Sequence, residues 1–324
     1  MLEKDIFTIS SSEEFEVLAL DIFRYQYRHT EVYRKFCDYL GISEATVANL
    51  TDIPFLPIQF FKEHNILSEG LRPEATFTSS GTTGSVVSKH LVAKLSLYEA
   101  SFFKAFQQVY GAIDTYTILA LLPSYLERKG SSLVYMVDQL MQKTNSPHSG
   151  FYLDHTSALV EKLLFLEAQE QKVLLLGVSY ALLDLIELHS FQLKNTIVME
   201  TGGMKGRRKE MIKDELHAVL KKGFGVQEIH SEYGMTELLS QAYSKGNGLF
   251  ICPPWMKILI RDPEDALSLV TGKTGGINVI DLANLYSCSF IATQDLGKTH
   301  TDKSFEILGR FDNSDIRGCN LMVL

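Results

Sequence analysis

Between Tyr116 and Ile229 one pattern recurs, an apolar run of strand length followed by a segment of helical period, and few folds accommodate it. The runs are Tyr116–Leu122 (YTILALL), Lys172–Leu176 (KVLLL), Thr196–Met199 (TIVM) and Val226–Ile229 (VQEI). Helical spacing of apolar residues covers Leu97–Tyr110, Ser131–Met141, Thr156–Gln169, Tyr180–Phe191 and Gly206–Lys221. Strands that alternate with helices of this length need crossover connections, so the pattern predicts an α/β fold with a parallel sheet flanked by helices.

On either side the pattern changes. Ser11 and Ser12 precede Glu13, Glu14 and a helical period through Phe15, Leu18, Ile22 and Tyr25, which predicts one capped helix reaching about Leu40. Asp52–Pro57 (DIPFLP) must run extended, because each proline disfavours helix at the residue before it. From Gly246 onward, glycine, proline and short β-like runs (LFICP, MKILI, GGINVID, SFIATQD, SFEILG) predict a second, more antiparallel sub-domain. The expected division is 1–245 and 246–324. At 324 residues, 45% of them hydrophobic, the chain can bury a large core in one large or two merged units.

Charge and cysteine usage narrow the function classes. A net charge of -8 and a pI near 5.6 argue against a nucleic-acid or anionic-membrane surface. The basic cluster Lys205, Arg207, Arg208, Lys209 is followed by Glu210, Asp214 and Glu215 and reads as a solvated helix face. No apolar targeting segment opens the sequence, and no run of ~18 apolar residues occurs, so a cytoplasmic protein without an integral membrane segment is expected. Cys37, Cys252, Cys288 and Cys319 are far apart and form no C-x-x-C pair, which suggests neither a disulfide framework nor a cysteine zinc site.

One segment carries chemistry that a core does not require. Every position from Thr78 to Ser85 is Ser, Thr or Gly, within Thr76–Lys89 (TFTSSGTTGSVVSK), behind a run that reads as a strand. Glycine permits positive φ and close approach, so several N–H groups and hydroxyls can turn toward one anion. No Gly-Lys-Ser/Thr follows, which excludes the usual P-loop, and no G-x-G-x-x-G is present for a dinucleotide. Taken alone the segment is a phosphate cradle or a flexible linker.

With its downstream lysine, Ser79-Ser80-Gly81-Thr82-Thr83-Gly84 resembles the phosphate loop of the adenylate-forming superfamily, which includes acyl-CoA synthetases, luciferases and adenylation domains. Other matches follow in the superfamily's order. Thr201-Gly202-Gly203 is similar to its adenine-binding wall, and Tyr233-Gly234-Met235-Thr236-Glu237 to its Y-G-x-T-E motif. Thr293–Gly297 (TQDLG) is similar to the ribose-binding segment, and Gly309-Arg310-Phe311-Asp312 to the hinge motif. The resemblance implies the superfamily's large-domain architecture, mostly parallel sheets flanked by helices, with ATP and Mg²⁺ as cofactors.

It also implies roles. Tyr233 with Gly202, Gly203 and Gly234 would form the adenine site, and Asp295 can accept from the ribose diol through its paired oxygens. Glu237 would hold Mg²⁺, Thr236 would donate to the α-phosphate, and Arg310 would contribute its fixed fork of donors. Positioning and charge neutralisation dominate such chemistry. His230 reads as a structural hydrogen-bonder or a pocket wall, and Tyr125 in LPSYLER as acyl-pocket wall or core.

Two departures qualify the match. Lys89 stands five residues after Gly84, where the superfamily places its lysine closer and behind a proline, which puts its phosphate role in question. The superfamily also continues past the hinge into a small mobile domain, which this sequence is expected to lack. One branch fits: GRFDNSDIRGC, with LPSYLER and the Ser/Thr/Gly loop, resembles the acyl-protein synthetases of the bacterial luminescence fatty-acid reductase complex. Members activate a fatty acid with ATP, take the acyl group onto a cysteine, matched here by Cys319, and pass it to a reductase partner. On chemistry alone, a Cys319 thiolate favoured by Arg317 and opposed by Asp315 can attack an acyl-adenylate, or Cys319 closes a final strand CNLMVL. The alternatives are an acyl- or aryl-CoA ligase similar to phenylacetate-CoA ligase, and a catalytically inactive nucleotide-binding partner subunit. A carboxylic acid substrate and an acyl-accepting reductase or carrier protein are the expected partners.

Overall fold

The computed structural model describes residues 2–79, 86–123, 130–202, 208 and 211–311. Two six-stranded sheets carry the fold. The first has the order Gly150–Phe151, Thr117–Leu121, Val173–Val178, Thr196–Thr201, His230–Tyr233, Ala242–Ser244. Its first five strands run parallel and the last is antiparallel. Thr117–Leu121 and Val173–Val178 are buried at every position, as strands covered on both faces must be. The covering helices are Leu95–Tyr110, Ser132–Lys143, Thr156–Ala168, Ser179–Leu188 and Lys213–Phe224.

The second sheet is antiparallel through Phe290–Thr299, Gly275–Asp281, Met256–Arg261 and Leu269–Val270, with Phe305–Arg310 also paired to Phe290–Thr299. Leu56–Pro57, from the predicted extended segment, adds a strand parallel to Phe290–Thr299. The sheet assigned to the C-terminal portion therefore takes an edge from far upstream. The N-terminal helix is tied to the same region: the buried Gln26 amide donates to the carbonyls of Asn284 and Leu285, each at 2.9 Å, and its oxygen accepts from Ser289 N–H at 3.0 Å. A separate hairpin pairs Ala75–Thr78 with Lys89–Val92, the strands that flank the Ser/Thr/Gly segment in sequence.

Three local expectations change. The single helix reaching about Leu40 is two, Ser12–His29 and Glu31–Tyr39. Thr30 between them is extended and buried, its hydroxyl near Ser68 Oγ at 3.3 Å, so a tertiary polar contact interrupts an unbroken helical period. The last parallel strand is His230–Tyr233, not Val226–Ile229. Helix Lys213–Phe224 ends in a left-handed cap at Gly225, and the following residues are spent on the connection. That helix also starts later than the expected Gly206. Arg208 lies ahead of it, paired with Asp184 and with Glu187 at 2.6 Å, while Lys205, Arg207 and Lys209 lie outside the described residues.

Candidate active site

The C-terminal ends of the parallel strands gather the motif residues. Thr196–Thr201 delivers Gly202, whose φ of 67° favours glycine and whose carbonyl accepts from Ser179 Oγ at 2.8 Å. His230–Tyr233 delivers Tyr233 and then Gly234–Glu237. Tyr233 is buried, its ring edge-on to Phe250 and Phe305. Its hydroxyl donates to Asp295 Oδ2 at 2.9 Å. Burial, then the neighbouring Asp295 charge, push the Tyr233 phenol well above its ordinary pKa.

Asp295 and Arg310 are register partners on neighbouring strands of the second sheet, and Arg310 Nε donates to Asp295 Oδ1 at 2.9 Å. The carboxylate is buried, while the guanidinium is 76% exposed. Each carboxylate oxygen therefore holds one protein donor and keeps a further acceptor direction, as a vicinal diol would need. Asp295 raises the Arg310 pKa, and Arg310 also lies within electrostatic reach of Glu237.

Glu237 is buried beside the base of the Ser/Thr/Gly loop. Burial pushes its carboxyl above the ordinary range, opposed by a hydrogen bond with the Ser88 hydroxyl. Ser88 closes that base: its N–H donates to Ser79 Oγ at 3.0 Å, and its carbonyl accepts from Ser79 N–H at 3.1 Å. Lys89 is exposed opposite Thr78, at the first residue of the returning strand. Ser80, Gly81, Thr82, Thr83, Gly84, Tyr125, Gly203, Asp312 and Cys319 lie outside the described residues.

Several positions that the motif comparison passed over hold this site in place. His90 Nδ1 donates to the Thr236 carbonyl at 2.8 Å, and Asn284 Nδ2 to the Glu237 carbonyl at 2.8 Å. Buried Asp281 accepts from Leu239 N–H at 2.7 Å, Ser240 N–H at 2.9 Å and Ser240 Oγ at 2.5 Å. Burial pushes its carboxyl to about 6 despite those donors. Arg261 donates to the carbonyls of Ile277 at 2.8 Å and Thr293 at 2.5 Å, and to Asn278 Oδ1 at 2.8 Å. Thr293 Oγ1 in turn accepts from Asp295 N–H at 3.1 Å. Arg261 thereby sets the strand that carries Asp295, and burial lowers its pKa to about 10. His230 is a hydrogen-bonder, its Nδ1 3.2 Å from Tyr110 Oη.

A second buried cluster lies just behind the motifs. Thr201 Oγ1 donates to Glu232 Oε2 at 2.5 Å, and burial raises the Glu232 carboxyl to about 7. Burial would raise Glu200 as well, but a hydrogen bond with His217 and the Lys213 ammonium at 2.8 Å bring it to about 2.

The donor set suits a nucleoside triphosphate. Asp295 offers acceptors for a diol, Gly202 a wall without a side chain, and the loop base at Ser79 and Ser88 stands beside Glu237. Among the described residues no group of three His, Cys, Asp or Glu could by itself hold a metal ion. Mg²⁺ commonly takes one or two carboxylates and completes its shell with substrate phosphates and water, and Glu237 beside Ser88 at the base of the Ser/Thr/Gly segment fits that use.

Comparison with known proteins agrees with this geometry. Residues 2–324 match the family model for LuxE, acyl-protein synthetase. A curated relative, the long-chain-fatty-acid–luciferin-component ligase of Vibrio harveyi, is 23% identical over 94% of this chain and 85% of its own length. Among solved structures, 2-hydroxyisobutyryl-CoA ligase with 2-HIB-AMP and CoA is similar with a TM-score of 0.70 at 12% identity, over 94% of this chain and 72% of that one. ATP-bound MatB from Rhodopseudomonas palustris gives 0.54 at 19% identity, over 73% of this chain and 48% of that one. The mixed parallel and antiparallel sheets are thus those of adenylate-forming ligases. No helix among the described residues is long and apolar enough to cross a membrane.

Proposed function

The chain belongs to the LuxE acyl-protein synthetase family, and from that premise we propose that it activates a fatty acid with ATP and passes the acyl group to a cysteine thiol, its own Cys319 first. The final acceptor is a reductase or carrier protein. The observation that carries this reading is the meeting of Asp295 with Tyr233 and Arg310, three positions from separate motifs, within reach of Glu237.

In the first step a carboxylate oxygen of the acid attacks the α-phosphorus, the bond to the β-phosphate oxygen breaks, and pyrophosphate leaves. Asp295 accepts from the ribose diol, and Tyr233 fixes that carboxylate rather than presenting its own ring face. Gly202 and Gly203 wall the adenine. The loop from Ser79 to Gly84, with Lys89 behind it, cradles phosphate oxygens, and Thr236 donates to the α-phosphate. Arg310 faces the developing charge, and Glu237 would hold a Mg²⁺ that supplies charge neutralisation at the phosphates. In the second step the Cys319 thiolate attacks the acyl carbonyl, the carbonyl–oxygen bond to AMP breaks, and a thioester remains.

Incubation with ATP, Mg²⁺ and a radiolabelled fatty acid tests the reading. Label should stay on the protein through denaturation, leave with hydroxylamine, and be absent from Cys319→Ser, which should still form the acyl-adenylate. Label appearing only as acyl-CoA when CoA is supplied would assign a CoA ligase instead. Loss of adenylate formation in Cys319→Ser would overturn the two-step assignment.

A further inference from the structure

A cavity of about 510 Å³ lies between helix Leu95–Tyr110 and strand Ala242–Ser244, roofed by the segment around Leu249–Pro253. Its inner end is at Gln241, which lies beside the Y-G-M-T-E motif: a Cβ placed on Gly234 would sit 3.3 Å from Gln241 Cγ. Because Ala242–Ser244 runs antiparallel to His230–Tyr233, passing from Gln241 to Lys245 leads from the motif end of the sheet to its opposite edge. At ~3.3 Å per residue that is about 13 Å.

The helix spans the same path. Ser101 Oγ meets Ser240 Oγ at 2.9 Å near the motif end, and Tyr110 Oη meets His230 Nδ1 at 3.2 Å near the other. Ala105 and Val109, one turn apart on one face, line the space between, Ala105 nearer the motif.

Burial grades along this path. Ala105, Gln241 and Tyr243 are buried, whereas Gln108, Glu228, Lys245 and Asn247 are exposed at the outer end. The cation on the lining, Lys245, stands at that outer end, and the polar side-chain atoms of the buried inner part are those of Gln241 and Tyr243, which carry no charge. Its volume is in the range of small-molecule sites, which are mostly apolar with few polar groups.

We infer that this cavity receives the apolar tail of the acid, with the carboxyl at the motif and the chain running outward past Ala105 and then Val109. The inference rests on the acid-activating function proposed above. Chain-length preference is then set by helix Leu95–Tyr110. Bulk at Ala105 closes the channel near the head group, and bulk at Val109 closes it one turn further out.

The test is acid-dependent pyrophosphate release across a series of saturated acids, for the full chain and for Ala105→Trp and Val109→Trp. Val109→Trp should lose at least about tenfold on the longest acids while turning over intermediate and short ones as the parent does. Ala105→Trp should lose intermediate acids too and keep the short ones. Unchanged profiles, or a reversed order of the two cut-offs, overturn the inference. A parent chain that activates no acid of any length would instead refute the proposed function.

Should either tryptophan variant fail to fold, the unmodified chain gives a second reading, since Cys252 also lines the cavity. Long acids should slow its alkylation, followed by peptide mass mapping, and short acids should not. Equal alkylation with and without a long acid counts against the assignment.

Discussion

Asp295 carries the residue-scale account, because its oxygens are shared between Tyr233, Arg310 and the proposed ribose. Tyr233→Phe removes one hydrogen bond to a buried carboxylate, worth about 1.5–3 kcal/mol, so the KM for ATP should rise by about one to two orders of magnitude with the fold retained. A KM within twofold of the parent would show that Tyr233 does not position Asp295. Glu237 makes a prediction with a sign. Its carboxyl is raised by burial and must be ionised to hold a cation, so adenylation should fall as pH drops through a midpoint above the ordinary carboxyl range. Glu237→Gln should abolish that limb along with most of the activity, and an unshifted limb in this variant would assign the titration elsewhere. Both residues are legible in the sequence because they sit in motifs that name their chemistry. Arg261, His90, Asp281 and Asn284 are not, since most of their partners are backbone groups of distant segments. A buried arginine bonded to carbonyls leaves no spacing pattern.

At the scale of elements, apolar period located the helices and three of the five parallel strands, missing the two-residue Gly150–Phe151, and failed where polar contacts decide. The break at Thr30 coincides with its contact to Ser68, and the strand His230–Tyr233 buries the polar Ser231 and Glu232, which an apolar pattern does not mark. Glycine at 276 is fixed by a similar tertiary demand, as a Cβ there would collide with the Arg261 guanidinium. Gly276→Ala should therefore displace Arg261, release the Thr293 carbonyl and weaken ATP binding, measurable by titration calorimetry; parent-like affinity would show that Arg261 does not hold the Asp295 strand. The buried acid Glu232 predicts a pH effect on stability. Its folded pKa is raised to about 7, so the folded state holds the proton more tightly, and stability falls as pH rises from the ordinary carboxyl range to about 7. The loss is on the order of 3 kcal/mol at ~1.4 kcal/mol per unit, and Glu232→Gln should flatten it in urea titrations across that window. An equal slope in the variant would place the effect on another group.

Across the whole molecule, the site forms where the two sheets and the hairpin meet. Tyr233 and Glu237 follow the parallel sheet, Asp295 and Arg310 come from the antiparallel one, and Ser88 comes from the hairpin. The strand–helix rhythm made the first sheet readable, whereas the pairing of Leu56–Pro57 with Phe290–Thr299 joins segments too far apart for any local pattern. The proposed division at 245/246 falls between the last strand of one sheet and the first long strand of the other, yet Leu56–Pro57 and Gln26 cross it, which favours cooperative unfolding of both units. The central claim, that this convergence activates a carboxylic acid through its adenylate, is tested most directly by exchange of labelled pyrophosphate into ATP. Exchange should require both Mg²⁺ and a fatty acid, persist in Cys319→Ser, and vanish in Asp295→Ala. Exchange that proceeds without acid, or is absent with every acid supplied, would contradict it.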